Sequence, residues 1–130
     1  MPGRRILLII PDTRFRALAL AQLQEAGYEM VAVPRLHHAL ALLRSGASFE
    51  LVAVDLFGVR EREGDLHDLR RQAGCPILVM VGAAELPRCQ ALGFTEVLAR
   101  PFTVGQLVAR AAGLLAQDQE GGSRREPARE

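Results

Sequence analysis

The segment 50–55, with the sequence ELVAVD, is the part of the chain that decides the fold. Its residues Leu51–Val54 are all apolar, as in a strand that is buried on both faces of a parallel sheet. The acid Asp55 follows where such a strand should end. Because open α/β sheets build their sites from the loops at the carboxyl ends of the strands, Asp55 is the first candidate site residue.

Apolar runs of the same kind occur at four other places along the chain. They are RILLII (5–10), EMVAV (29–33), PILVMV (76–81) and EVLA (96–99). Their length and composition predict four more buried strands, each followed by a polar or turn-forming segment.

Apolar residues at helical spacing lie between and after these runs. The residues predicted to face inward are Phe15, Leu18, Ala19, Leu23 and Ala26, then Leu36, Leu40 and Leu43, then Leu66 and Leu69, then Leu86, Cys89 and Leu92, and finally Val104, Leu107, Val108, Ala111 and Leu115. Strand and helix alternate five times, which predicts an α/β fold with a five-stranded parallel doubly wound sheet and five helices.

The length of 130 residues and a hydrophobic content of 49% suit one domain, which we place at residues 1–116. Beyond it the composition changes to DQEGGSRREPARE, which cannot bury enough apolar surface to fold. We therefore predict a disordered C-terminal tail at 117–130.

The charge of the chain is almost balanced, with 16 basic and 15 acidic residues and no lysine. This balance argues against a nucleic-acid groove or a basic membrane-binding patch. The amino terminus has too few apolar residues before Pro11 for a signal peptide or a membrane span. Cys75 and Cys89 lack metal or redox spacing and are expected to be reduced buried thiols. We expect a cytoplasmic protein.

Four motifs together resemble the receiver domain of bacterial response regulators over about residues 4–116. They are EAGYE (25–29), FELVAVDL (49–56), CPILVMV (75–81) and LARPF (98–102). The resemblance implies the flavodoxin-like receiver fold and a place in a two-component phosphorelay. It implies that Asp55 is the position that accepts a phosphoryl group from a histidine kinase.

Further site residues follow from the same resemblance. Arg100 stands where the family has a lysine, and the Arg100–Pro101 peptide is expected to be cis. Gly82 is expected to contact a phosphoryl group or to pair with Asp55.

Four positions depart from the family pattern towards residues without polar side chains. Ile10 and Pro11 replace the two acids that hold Mg²⁺, Val81 replaces a hydroxyl residue, and Val97 replaces the aromatic switch residue. The remaining oxygen donors, Asp12, Asp55 and the carbonyl of Phe57, form a weak set for Mg²⁺. We therefore expect an atypical or pseudo-receiver with weak or absent Mg²⁺ binding and no other cofactor.

Three charged residues each have a simpler structural interpretation. Asp12 is predicted to be the N-cap of the first helix rather than a metal ligand. Arg100 is predicted to pair with Asp55 and so to mimic an occupied site, and the alternative is an arginine that faces solvent. Asp55 could instead only bind backbone N–H groups at the end of its strand.

These observations favour a receiver that is not an enzyme and acts through phosphorylation-independent contact with a signalling protein. The alternative is a working phosphoacceptor at Asp55, and a more distant one is a small-molecule or nucleotide sensor. A histidine kinase is the expected type of partner, and self-pairing through the last helix is the expected form of any homodimer. No nucleic-acid or membrane partner is expected.

Overall fold

The five apolar runs form five parallel strands in one sheet, in the order β2-β1-β3-β4-β5. Their bounds are β1 Arg5–Ile9, β2 Glu29–Val33, β3 Leu51–Asp55, β4 Ile77–Val81 and β5 Glu96–Ala99. This computed structural model describes the backbone of residues 4–129 and the side chains of residues 4–117. Within that range the predicted sheet is confirmed, and its three internal strands, β1, β3 and β4, are the ones that are buried almost throughout.

Five helices connect and follow the strands. They are α1 Thr13–Glu25, α2 Leu36–Arg44, α3 Glu63–Gln72, α4 Leu86–Ala91 and α5 Val104–Arg129. Asp12 caps α1, because its Oδ1 accepts a hydrogen bond from the Phe15 N–H at 2.8 Å. Beyond the other end of α1 the chain turns through Gly27 at a φ of +102°, which a glycine adopts without strain.

The sheet separates two apolar cores, and alternate residues of each strand belong to different cores. Ile6, Leu8 and Ile10 pack in the core under α1 and α5, whereas Leu7 and Ile9 pack in the core under α2, α3 and α4. Ile10 is fully buried, so its side chain fills the core just before the chain leaves the sheet.

The prediction for α1 was wrong at Leu18 and Ala26. Leu18 is 50% exposed, and the buried residues of α1 are Ala19 and Leu23. Because neighbours on a helix point about 100° apart, Leu18 cannot share the face of Ala19. Ala26 lies just after the helix as its exposed C-cap.

The inward residues of the other helices lie in the cores or half-buried against them, except Val104, which is half-buried but belongs to neither core. The fully or nearly fully buried ones are Leu36, Leu40, Leu43, Leu66, Leu69, Cys89, Leu107, Ala111 and Leu115. Burial raises the pKa of the Cys89 thiol, and the neighbouring Arg88 partly offsets this effect. Cys75 is only half-buried, which corrects the expectation of two buried thiols.

The backbone of α5 continues as a helix through the segment that the sequence assigns to a tail. Residue 130 and the side chains from 118 onward lie outside the described part of the chain. The domain boundary at 116 and the disordered tail at 117–130 therefore stay predictions. Among the described residues, no helix combines the length and apolar character needed to cross a bilayer.

Candidate functional site

The candidate site is a cleft of about 450 Å³ at the carboxyl ends of the strands. Its walls come from the ends of β1, β3 and β5 and from the starts of α1 and α5. The residues that line it are Pro11, Asp12, Phe15, Asp55, Phe57, Arg100, Phe102 and Val104. The cleft therefore unites Asp55 and Arg100 with Asp12 and Pro11, as their positions at strand ends predicted.

Asp55 and Arg100 form a bidentate ion pair at the floor of this cleft. Nη1 of Arg100 donates to Oδ1 of Asp55 at 3.0 Å, and Nη2 donates to Oδ2 at 2.7 Å. The backbone N–H of Phe57 donates a third hydrogen bond to Oδ1 at 3.0 Å. The Asp55 side chain is 5% exposed and that of Arg100 is 24% exposed, so the pair is largely withdrawn from water. This geometry matches the predicted pairing.

Three phenylalanine rings surround the Arg100 guanidinium. Its Cζ lies 4.4 Å from the ring centre of Phe57, 5.0 Å from that of Phe102 and 5.7 Å from that of Phe15. Phe15 and Phe102 also contact each other, with ring centres 6.0 Å apart. Because a cation is attracted to aromatic faces, the rings and the Asp55 carboxylate together hold the guanidinium in one place. This aromatic cage was not predicted from the sequence.

Gly82 does not pair with Asp55 in the structure. Its N–H donates to Oε1 of Glu85 at 2.7 Å, and the Glu85 N–H donates back to the Gly82 carbonyl at 3.2 Å. Gly82 is also the point where the Phe57 ring packs against the backbone after β4. The resemblance implied that the Gly82 N–H contacts a phosphoryl oxygen. In the structure this N–H is already bound to the Glu85 carboxylate.

The absence of a side chain at Gly82 keeps the Phe57 ring in place. A Cβ at this position would lie 2.8 Å from Cδ1 of Phe57, which is closer than real Cβ contacts allow. We expect Gly82→Ala to push the ring towards solvent, away from Arg100, and to lower the free energy of unfolding by about 1 kcal/mol. Urea unfolding of the two proteins measures this difference.

The matched control is the same change in a Phe57→Ala background, where the ring that clashes has been removed. There Gly82→Ala should cost much less. An equal cost in both backgrounds would contradict the packing described.

The end of β1 provides no acid pair. Ile10 is buried in the core, and Pro11 lines the cleft without a polar side chain. Asp12 is exposed and its Oδ1 is engaged as the N-cap of α1. Nη1 of Arg16 donates to the carbonyls of Ile10 at 2.8 Å and of Pro11 at 3.2 Å, so a guanidinium occupies the backbone oxygens of this strand end.

These donors do not fit Mg²⁺. Hard Mg²⁺ needs several oxygens in near-octahedral geometry. Both oxygens of Asp55 are taken by N–H donors, and no group of three or more His, Cys, Asp or Glu side chains that could hold a metal occurs among the described residues.

The other two positions that depart from the receiver-family pattern lie in the sheet. Val81, at the end of β4, is fully buried, and Val97 in β5 is half-buried against the core under α2, α3 and α4. Neither side chain can donate a hydrogen bond towards the cleft. The Arg100–Pro101 peptide is cis, as the resemblance implied.

Solved structures with the same fold include response regulator receivers. The structure is similar to a response regulator receiver protein from Sinorhizobium medicae, with 25% identity and a TM-score of 0.75 over 88% of this chain and 95% of that one. It is also similar to a CheY-like receiver domain protein from Methanospirillum hungatei, with 17% identity and a TM-score of 0.76 over 92% and 98% of the two chains.

A third similar structure is an adenylate cyclase from Rhodopirellula baltica, with 19% identity and a TM-score of 0.80 over 98% of both chains. At this identity the match shows a shared fold and carries no activity to the present chain. No protein-family model and no curated protein matches the sequence.

Proposed function

We propose that this protein, which has the receiver-domain fold of response regulators, acts in two-component signalling by binding a partner protein without phosphorylation of Asp55. The observation that carries the proposal is the bidentate pair between Asp55 and Arg100. This pair holds the two side chains of the site in one arrangement without a phosphoryl group or a metal ion.

The pair opposes phosphorylation in two ways. Attack on a phosphorus atom uses a carboxylate lone pair, and three N–H groups fill three of the roughly four lone-pair sites of Asp55, which makes its oxygens weaker nucleophiles. Transfer also needs cations to offset the charge of the phosphoryl oxygens, a task that Mg²⁺ normally shares. Here the available guanidinium is already neutralised by Asp55 itself.

The residues that line the cleft support a binding function rather than catalysis. The cleft brings together two carboxylates, one guanidinium and apolar side chains, with no nucleophile held beside a base. We accordingly propose a binding function with no catalytic activity, no Mg²⁺ requirement and no other cofactor. A signalling protein such as a histidine kinase is the proposed partner.

The location proposed for the protein is the cytoplasm, and neither nucleic acid nor membrane is proposed as a partner. The near-balanced formal charge of +1 supports the absence of these two partners from the proposal, because nucleic acids and anionic membranes both favour strongly basic proteins.

One observation favours a working phosphoacceptor as the second candidate. Asp55 lies at the end of β3 in a cleft that opens to solvent, next to a cation that could stabilise a phosphoryl group if it released the carboxylate. The same cleft, with its three phenylalanines, supports a small-molecule or nucleotide sensor as a more distant candidate.

A small phosphodonor such as acetyl phosphate distinguishes these candidates. We expect no phosphoryl-sized gain in the intact mass of the protein, with or without Mg²⁺, because Asp55 is held by Arg100. A gain that disappears in Asp55→Asn would overturn the proposal and establish the phosphoacceptor. An unchanged mass together with a rise in melting temperature on adding a nucleotide would favour the sensor.

A further inference from the structure

The strand β2 forms one edge of the sheet, and its outward side is open. It pairs with β1 alone, over residues 29–33. The N–H of Glu29 donates to the Arg4 carbonyl, and the Val33 carbonyl accepts from the Ile10 N–H. In a parallel pair, every second residue of an edge strand bonds to the neighbouring strand. The backbone groups of the residues between Glu29 and Val33 therefore alternate between β1 and the open side.

The outward backbone groups of this edge belong to Met30 and Ala32. Their N–H and C=O groups form a row of donors and acceptors with no strand beside them. Natural sheet edges are usually blunted by a charged side chain, a proline or a bulge within the strand. Residues 30–33 contain none of these, and Pro34 follows only after the last outward N–H. The edge of β2 can therefore pair with another extended segment.

An apolar groove lies beside this edge, on the side of the sheet that α2 covers. Its volume is about 480 Å³, and it is lined by Val33 and Pro34 at the end of the strand and by His38, Ala41 and Leu42 of α2. Val33 and Leu42 are half-buried against the core under α2, α3 and α4, whereas Ala41 is exposed. Because side chains alternate between the two faces of a sheet, every second residue of a strand added to β2 lies on the side of this groove.

The charge around the groove is positive. No Asp or Glu occurs in residues 30–49, and of the two arginines in this segment Arg44 is paired with Asp68. Arg35 is exposed and, among the described residues, takes part in no ion pair. A carboxylate at the end of an added strand would gain a charge-assisted contact with Arg35. A second copy of the chain would bring another basic segment to this edge, so the charges favour an acidic partner.

The opposite edge strand, β5, has polar surroundings instead. The cavity beside its start has a volume of about 390 Å³, and its lining includes Arg70, Thr95 and Glu96. Glu96 also pairs with Arg110 at 3.5 Å. An apolar side chain placed there would remove water from charged groups, which is unfavourable. The edge of β2 is therefore the better of the two for an apolar strand.

We propose that the open edge of β2 binds an extended segment of a partner protein, which adds a sixth strand to the sheet. The segment bonds through its backbone to Met30 and Ala32, places apolar side chains in the groove, and carries an acid where it passes Arg35. Backbone hydrogen bonds provide the affinity in this kind of recognition, and the side-chain contacts provide the specificity. This surface rests on the partner binding proposed above, and none of its groove residues lines the cleft of Asp55.

A synthetic peptide tests the edge directly. The probe is a short peptide in which valine and threonine alternate and each end carries an aspartate. Hydrogen–deuterium exchange, followed by NMR at single amides, should show fast exchange of the Met30 and Ala32 N–H groups in the free chain. Saturating peptide should slow this exchange about tenfold. Binding without protection of these two amides, or no binding at about 1 mM peptide, would overturn the proposal.

Substitutions in the groove and at its charged end separate the contacts. Ala41→Glu places a carboxylate at the exposed side of the groove and should weaken peptide binding about tenfold. Arg35→Glu should weaken binding of the aspartate peptide and strengthen binding of a matched peptide with lysine at both ends. Arg14→Glu reverses an exposed charge on α1 and is the control that should change neither affinity. If Ala41→Glu binds the peptide as well as the unchanged chain does, the groove is not the binding surface.

A proline at the edge tests the backbone pairing itself. Ala32→Pro removes an outward N–H at a position where an edge strand tolerates proline, so it should abolish peptide binding and leave the circular dichroism spectrum unchanged. Protection of Met30 and Ala32 that rises with protein concentration in the absence of peptide would assign the edge to a second copy and overturn the proposed partner. No phosphodonor enters these experiments, so their failure is distinct from phosphorylation of Asp55, which acetyl phosphate tests.

Discussion

Replacing Arg100 with alanine should lower the free energy of unfolding by about 3–5 kcal/mol. The Asp55 carboxylate is 5% exposed and receives two of its hydrogen bonds from this guanidinium. Without Arg100 it is left buried with the single N–H of Phe57. Removing one partner of a buried pair is far more costly than removing both, because an unpaired charge remains out of water.

Urea unfolding measures the loss of stability in Arg100→Ala, and two further variants show its origin. Arg35→Ala removes an exposed arginine and should change stability by less than about 0.5 kcal/mol. The double variant Asp55→Leu/Arg100→Met should be much more stable than Arg100→Ala, because no charge remains unpaired. If Arg100→Ala lowers the free energy of unfolding no more than Arg35→Ala does, the pair behaves as an ordinary surface contact. The proposal that the Asp55–Arg100 pair fixes the site would then be wrong.

Binding of free guanidinium ion at millimolar concentration tests the same site independently. In Arg100→Ala the aromatic cage and the carboxylate remain, so the free cation should bind between them and raise the melting temperature. Sodium at equal ionic strength is the control and should not do so.

Two substitutions should give the cleft a set of oxygens that Mg²⁺ can bind. Pro11 lines the cleft, so Pro11→Asp adds a third carboxylate, beside those of Asp12 and Asp55, without disturbing the core. Arg100→Lys replaces the bidentate fork with a single ammonium and frees one oxygen of Asp55. We expect Mg²⁺ to stabilise this double variant by about 1–3 kcal/mol at saturation and to leave the unchanged chain unaffected.

The melting temperature across a Mg²⁺ titration tests this expectation, with Ca²⁺ and Na⁺ for comparison. Ile10→Asp is the informative negative control, because Ile10 is fully buried and an acid there should unfold the protein rather than bind metal. A double variant that remains insensitive to Mg²⁺ would show that Pro11 is not a metal-ligand position.

The sequence predicted the sheet, its five strands and the pairing of Asp55 with Arg100, because these follow from local patterns. Buried parallel strands are continuous apolar runs, and their carboxyl ends meet at one edge. The N-cap role of Asp12 is likewise a local property of the residue that precedes a helix.

The sequence did not predict the contacts that complete the site. Phe15, Phe57 and Phe102 come from three distant segments, and nothing in their spacing indicates that they surround one guanidinium. The hydrogen bond from Gly82 to Glu85 depends on how the short helix α4 begins. The face of α1 was misassigned at Leu18 because the run ALALAQL allows more than one apolar stripe.

The interdependence of Asp55 and Arg100 also restricts how such a site could change by successive mutations. A lineage that lost Arg100 first would pass through a protein with an unpaired buried carboxylate, at a cost comparable to much of the stability of a small domain. A lineage that first gained an acid at position 11 would keep the pair, and could then exchange Arg100 for lysine, which keeps a cation beside Asp55, while Mg²⁺ offset the charge of the added acid. The second order of mutations never leaves the buried Asp55 carboxylate without a cation beside it.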